Sequence, residues 1–140
     1  MKTKFTAVVK IRKKTVDDIE NAIFAVESLI TKTKANLLET KNRFNSLEPP
    51  HSGPYSALMA FEDMKKAFRF EIEGLKALLA DHQNRKNMLI GQLKEANAEL
   101  EKMKYLDGEE IKKVLKARAV REAKELDEIG VMLYNNRSES

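Results

Sequence analysis

Glu48-Pro49-Pro50-His51-Ser52-Gly53-Pro54 holds all three prolines of this 140-residue chain. Inside a helix, proline forfeits a backbone hydrogen bond and its ring strikes the preceding turn. The residue before each proline is also pushed toward extended angles. This stretch is therefore the one firm break, and the sequence on either side of it is free to be helical. The expected fold is all-α, with helix 1 over about 4–47, a turn at 48–54 and helix 2 over about 55–136.

Both arms carry a heptad stripe. Steps of four and three from Phe5 give Val9, Arg12, Val16, Ile19, Ile23, Val26, Ile30, Thr33, Leu37, Thr40, Phe44 and Leu47. With Val9 at position a, every a residue is apolar, while the d positions mix Phe5, Ile19, Val26 and Leu47 with Arg12, Thr33 and Thr40. A narrow apolar stripe kept up over six heptads and flanked by Lys and Glu is the mark of a coiled coil. The second arm repeats it through Leu58, Phe61, Lys65, Phe68, Ile72, Leu75, Leu79, His82, Lys86, Leu89, Leu93, Ala96, Leu100 and Met103.

The stripe loses register near Asp107-Gly108 and resumes as Leu115, Ala119, Glu122, Leu126, Ile129 and Leu133. Two readings stand. A stutter lets one helix run through, locally loosened at 107–108. Alternatively, Asp107 caps a new helix with Glu110 three residues on, the spacing of a capping box.

A short turn between two seamed helices folds them back antiparallel, because each seam needs an apolar partner. The whole chain then forms one two-helix coiled-coil hairpin with a longer C-terminal helix. Pairing Leu47 with Tyr55 sets Phe5 beside about Asn97. At 1.5 Å per residue the first arm is roughly 65 Å long and the second roughly 120 Å, so about 35 C-terminal residues outrun their partner. Their apolar stripe is marginal in water without a second surface. The expected cover for Leu115, Leu126, Ile129 and Leu133 is another protein; a second copy of the chain or a fold-back at Gly108 are the alternatives. A further excess follows the turn, where Phe61, Phe68 and Phe70 are joined by Met59, Met64 and Ala67. Only Phe61 and Phe68 serve the seam. The others suit either a thickened hairpin tip or a docking face of the helix-in-groove kind.

Lys and Arg number 26 against 22 Asp and Glu, and 34% of residues are charged. The basic residues cluster. Lys2, Lys4, Lys10, Arg12, Lys13 and Lys14 occur in 2–14 with no acid. Lys112, Lys113, Lys116, Arg118, Arg121 and Lys124 occur in 112–124 with only Glu122 opposing. Such blocks fit an acidic protein partner, nucleic acid or a solvated helix face. The chain has no cysteine, hence no disulfide or thiolate metal site, which suits a reducing compartment. No apolar run approaches the length of a membrane span, and no apolar core follows the basic N-terminus, so an intact cytosolic protein is expected.

Catalysis needs groups converging in a dry pocket, which two lean helices do not offer. Gly74, Gly91, Gly108 and Gly130 stand singly within helical pattern, so they form no phosphate-binding loop. The two histidines, His51 in the turn and His82 on the seam, make no metal cluster. The expectation is a non-enzyme without cofactor or metal. Nucleic acid is also disfavoured: 112–124 lacks the Asn and dense Arg that read bases, and Val114, Leu115 and Val120 interrupt its charge. Outside Phe5, neither basic block has an aromatic platform for single strands.

The basic hairpin opens with Lys4-Phe5-x-x-Val8 and closes with Arg118-Ala119-Val120-Arg121-Glu122-Ala123-Lys124-Glu125-Leu126-Asp127-Glu128. In length and layout, over nearly the whole chain, it resembles the FliJ family, stalk proteins of the bacterial flagellar type III export apparatus. The resemblance implies a non-enzymatic stalk and coupling factor, built like the central stalk of rotary ATP synthases. Its joined terminal ends would insert into the hexameric export ATPase ring and promote its assembly and turnover. Carried onto this chain, the ring-binding residues are Phe5, Arg12, Lys112, Lys116, Arg118, Arg121, Lys124, Leu126, Asp127 and Glu128.

The resemblance further implies contact with the cytoplasmic domain of the export gate through Ala60, Phe61, Met64, Ala67 and Glu71. Ala60 stands where the family usually has a larger apolar residue, and Glu71 where it usually has His. Export chaperones are further implied partners, and the implied location is the cytoplasm, peripheral at the inner membrane. The protein is expected to be a monomer when free. Two other readings stand beside this one: a homodimeric structural coiled coil, and a basic nucleic-acid-binding coiled coil.

Overall fold

A computed structural model describes residues 1–139, with the side chains of Ser138 and Glu139 left aside. It is all-helical among the described residues: α1 spans Thr6–Asn45 and α2 spans Tyr55–Glu139, and the two pack against each other as a hairpin. The proline-bounded segment between them is non-helical, as its chemistry requires. Gly53 there has φ 132°, a conformation that costs glycine little and an L side chain much. Two further bonds finish the helix ends. Ser46 returns its hydroxyl to the Asn42 carbonyl at 2.8 Å, and the Pro54 carbonyl accepts the Ala57 N–H at 3.0 Å.

Backbone packing divides the chain into two compact units: Asp17–Lys94, and Met1–Val16 with Glu95–Ser140. In the first, the helices run antiparallel, since Glu27 meets Lys86 while the later Phe44 meets the earlier Phe68. Its core is a single thin seam. Val26, Ile30 and Leu89 are buried together, with Ala22, Ile23 and Leu79 packed against them. Thr33 and Thr40 occupy seam positions and are also buried. The Thr40 hydroxyl donates to the Asn36 carbonyl of its own helix at 2.8 Å, so its burial leaves no donor stranded. His82 is half-buried on the seam.

The expected pairing of Leu47 with Tyr55 needs correction. Glu27 opposite Lys86 and Phe44 opposite Phe68 set the register further along α2; Leu47 lines one open hollow with Leu58, Phe61, Glu62 and Lys65, and Tyr55 and Leu58 are 74% and 44% exposed. The turn is wider than a tight reversal, and the first turn of α2 is spent before the seam closes. Leu58 is thus no core residue despite its heptad position.

In the second unit, Val16 and Leu100 are buried and Val9, Phe5, Ala96 and Met103 half-buried. Here too the register differs from expectation: the N-terminal turn meets Asp107, not Asn97. The Thr3 and Thr6 hydroxyls both donate to Asp107 Oδ1, the latter at 3.3 Å. The same hydroxyls accept backbone N–H groups, Phe5 N–H on Thr3 and Thr3 N–H on Thr6, at 3.1 and 2.8 Å. They therefore cap α1, whose first N–H groups lack intrahelical partners. The alternative of a new helix starting at Asp107 is overturned, because α2 is helical through 107–108. Asp107 serves the end of the other helix instead of its own. Burial of α2 then fades at Ile111, and every described side chain from Lys112 to Arg137 is exposed. The uncovered extension therefore begins some residues later than the arithmetic of a tight turn suggested.

Candidate interaction surfaces

The residues expected to bind a ring all fall in the second unit. Phe5 is half-buried under Lys4, whose Nζ stands 5.3 Å from its ring centroid, and Arg12 is exposed even though it holds a seam position. Beyond 111 the extension changes character along its length. Lys112, Lys116, Arg118, Arg121 and Lys124 make its first half cationic, and Leu126, Asp127 and Glu128 follow, all of them exposed. Lys112 is held by Glu109 at 3.3 Å, an exposed pair of small energetic weight.

From Leu126 to Tyr134 apolar side chains lie on every side of the helix, with Asp127 and Glu128 among them. At about 100° per residue, Leu126, Ile129, Val131, Met132, Leu133 and Tyr134 point around the full circumference of the helix. They are 53% to 73% exposed. A helix that touches one partner face needs one apolar stripe, whereas apolar side chains all round call for enclosure. The heptad count had named Leu126, Ile129 and Leu133 only; Val131, Met132 and Tyr134 stood in plain view in Val131-Met132-Leu133-Tyr134.

The residues expected to bind a gate lie in the first unit. Ala60, Met64, Ala67 and Glu71 form one exposed stripe on α2, with Met64 49% exposed. Phe61 is half-buried beside the stripe, and Lys65 Nζ sits 5.3 Å over its ring. Phe70, 83% exposed, projects away from the seam, as do Met59 and Met64. The apolar excess after the turn is therefore open to water and is not consumed by a thickened tip. Among the described residues no group of His, Cys, Asp or Glu is placed to hold a metal ion, and no helix is long and apolar enough to cross a membrane.

A family profile described as "Flagellar FliJ protein" matches residues 1–139. The chain belongs to the FliJ family. No curated protein and no solved structure matches it. Membership makes this FliJ-family chain a coiled-coil protein related to flagellar protein export, working with components of the export apparatus. The family is one of structural export-stalk proteins.

Proposed function

We propose that this chain is the stalk and coupling factor of the flagellar export ATPase. Its terminal ends insert into the ATPase ring, and the early part of α2 contacts the export gate. The observation that carries this reading is the extension from Lys112 to Arg137, exposed along its length, cationic in its first half and with apolar side chains on every side of the helix between Leu126 and Tyr134. A ring lumen is a surface that surrounds a helix. Acidic groups lining its mouth would steer the basic half inward, giving fast capture without a tight lock. The gate contact draws on Ala60, Phe61, Met64, Ala67 and Glu71, with export chaperones as further partners, in the cytoplasm beside the inner membrane.

The test is turnover of the purified export ATPase with and without this protein. Changing Lys116, Arg118 and Arg121 together to Glu should leave helicity intact, because all three are exposed. It should also remove most of the stimulation. Full stimulation by the triple variant would refute ring insertion through this segment. Sedimentation distinguishes the homodimer: a stable dimer at micromolar concentration would mean that the extension is covered by a second copy.

A further inference from the structure

The hairpin tip has a second surface, on the other flank of α2 from the Ala60–Met64–Ala67–Glu71 stripe. Leu58, Phe61, Lys65 and Arg69 follow one another at three- and four-residue steps, which places them together on one side of the helix. With Phe44, Leu47 and Pro49 from across the turn and Glu62 beside them, they line an open cleft of about 520 Å³. That volume lies in the range of sites that take a compact ligand.

The floor is aromatic and aliphatic. Phe44 packs edge-on to Phe68 with ring centroids 6.3 Å apart, so the floor is fixed by the seam beneath it. The rim is cationic and unevenly satisfied. Lys65 has Glu62 at 3.7 Å. Arg69 has its guanidinium carbon 5.7 Å from the Phe44 centroid, and among the described residues no carboxylate pairs with it. The guanidinium is held by a ring face, with its fork of N–H donors open to an incoming acceptor.

We infer that this cleft docks a peptide segment of a partner protein, with a bulky apolar side chain on the phenylalanine floor and an adjacent carboxylate on Arg69. Charge decides the occupant. A basic segment would meet Arg69 and Lys65 head-on, and a neutral one would leave Arg69 unmatched, whereas a carboxylate accepts two parallel N–H bonds from one guanidinium. Ring insertion uses the other unit of the chain, and the gate stripe of Ala60, Met64, Ala67 and Glu71 lies on the other flank of α2 with Phe61 alone shared, so Arg69 and Leu58 test this site apart from both.

The experiment is methyl NMR of the full chain, titrated with the blocked tetrapeptide acetyl-Glu-Leu-Phe-Glu-amide. Its two controls are acetyl-Lys-Leu-Phe-Lys-amide and acetyl-Glu-Ser-Ser-Glu-amide. The acidic apolar peptide should shift the methyl signals of Leu47 and Leu58, and the two controls should not. Arg69→Gln should weaken its binding about two- to fivefold, the weight of a charge pair at an exposed position. Leu58→Ser, at a position already partly in water, should weaken it without loss of helicity. Equal response to the basic peptide, shifts centred on Met59 and Met64, or no shift with any peptide at millimolar concentration would each overturn the inference.

Discussion

Leu89 and Leu126 are the same residue type on the same helix, both at heptad positions, and they should respond to truncation to very different degrees. Leu89 is 4% exposed and packs in the cluster with Val26 and Ile30, whereas Leu126 is 69% exposed. Leu→Ala removes three carbon groups at about 0.8 kcal/mol each, so Leu89→Ala loses about 2.4 kcal/mol of transfer energy. A residual cavity adds to that in a thick core, where such changes cost about 2–5 kcal/mol. This seam is one layer deep and water reaches its edge, so the cavity closes or fills and the total stays near 2.5 kcal/mol. Leu126 has buried only about a third of its surface, and its truncation should cost no more than about 0.8 kcal/mol by the same scale. Urea unfolding followed by circular dichroism at 222 nm measures both. The comparison uses midpoints at constant slope, so that a loss of cooperativity between the two units is recognised as such. Equal destabilisation by the two substitutions would mean that Leu126 is covered within the free protein. The extension would then not be bare in solution.

Four smaller outcomes follow from the same packing. Asp107→Ala removes the shared acceptor of Thr3 and Thr6, which should cost about 1–2 kcal/mol and speed hydrogen exchange of the first turns of α1. Gly53→Ala should cost about 1 kcal/mol or more, because φ 132° is strained for any L side chain. Gly91→Ala and Gly130→Ala should each raise the melting temperature, by an amount matching about 0.5–1 kcal/mol, since an added Cβ meets nothing within 4 Å. Glu27→Gln breaks the 3.4 Å pair with Lys86, in which both side chains keep a third or more of their surface in water; the loss should be at most about 0.5 kcal/mol and vanish in 1 M salt.

The seam was legible because heptad spacing is a direct image of burial. Val16, Val26, Ile30, Ile72, Leu89 and Leu100 all come from the counted stripe, and so do the buried Thr33 and Thr40. The stripe also held Arg12 and Leu58, which are exposed; periodicity says which face a residue shares but not where the partner helix starts or stops. The error in register has the same origin. Loop composition shows that the chain turns, but the number of residues spent in turning depends on geometry that only the packed helices set, such as Phe44 against Phe68. Spacing to Glu110 reads Asp107 as the cap of a new helix of its own, which the unbroken α2 overturns. That it caps the partner helix, through Thr3 and Thr6, is a contact over a hundred residues in sequence, which local spacing does not encode. The candidate surfaces divide similarly. The basic block is written in the sequence, whereas the cleft at Arg69 exists only once Phe44 and Leu47 come to line one hollow with Phe61.

The greasy end from Ile129 to Tyr134 also bears on supply. Each free copy keeps five large apolar side chains wet, and contiguous patches of that kind drive unspecific clumping as concentration rises. A partner that encloses the end removes this hazard by mass action, and does so only for as many copies as it has seats. The tolerable amount of this protein is therefore tied to the abundance of whatever holds its tail, and overproduction alone should drive it out of solution.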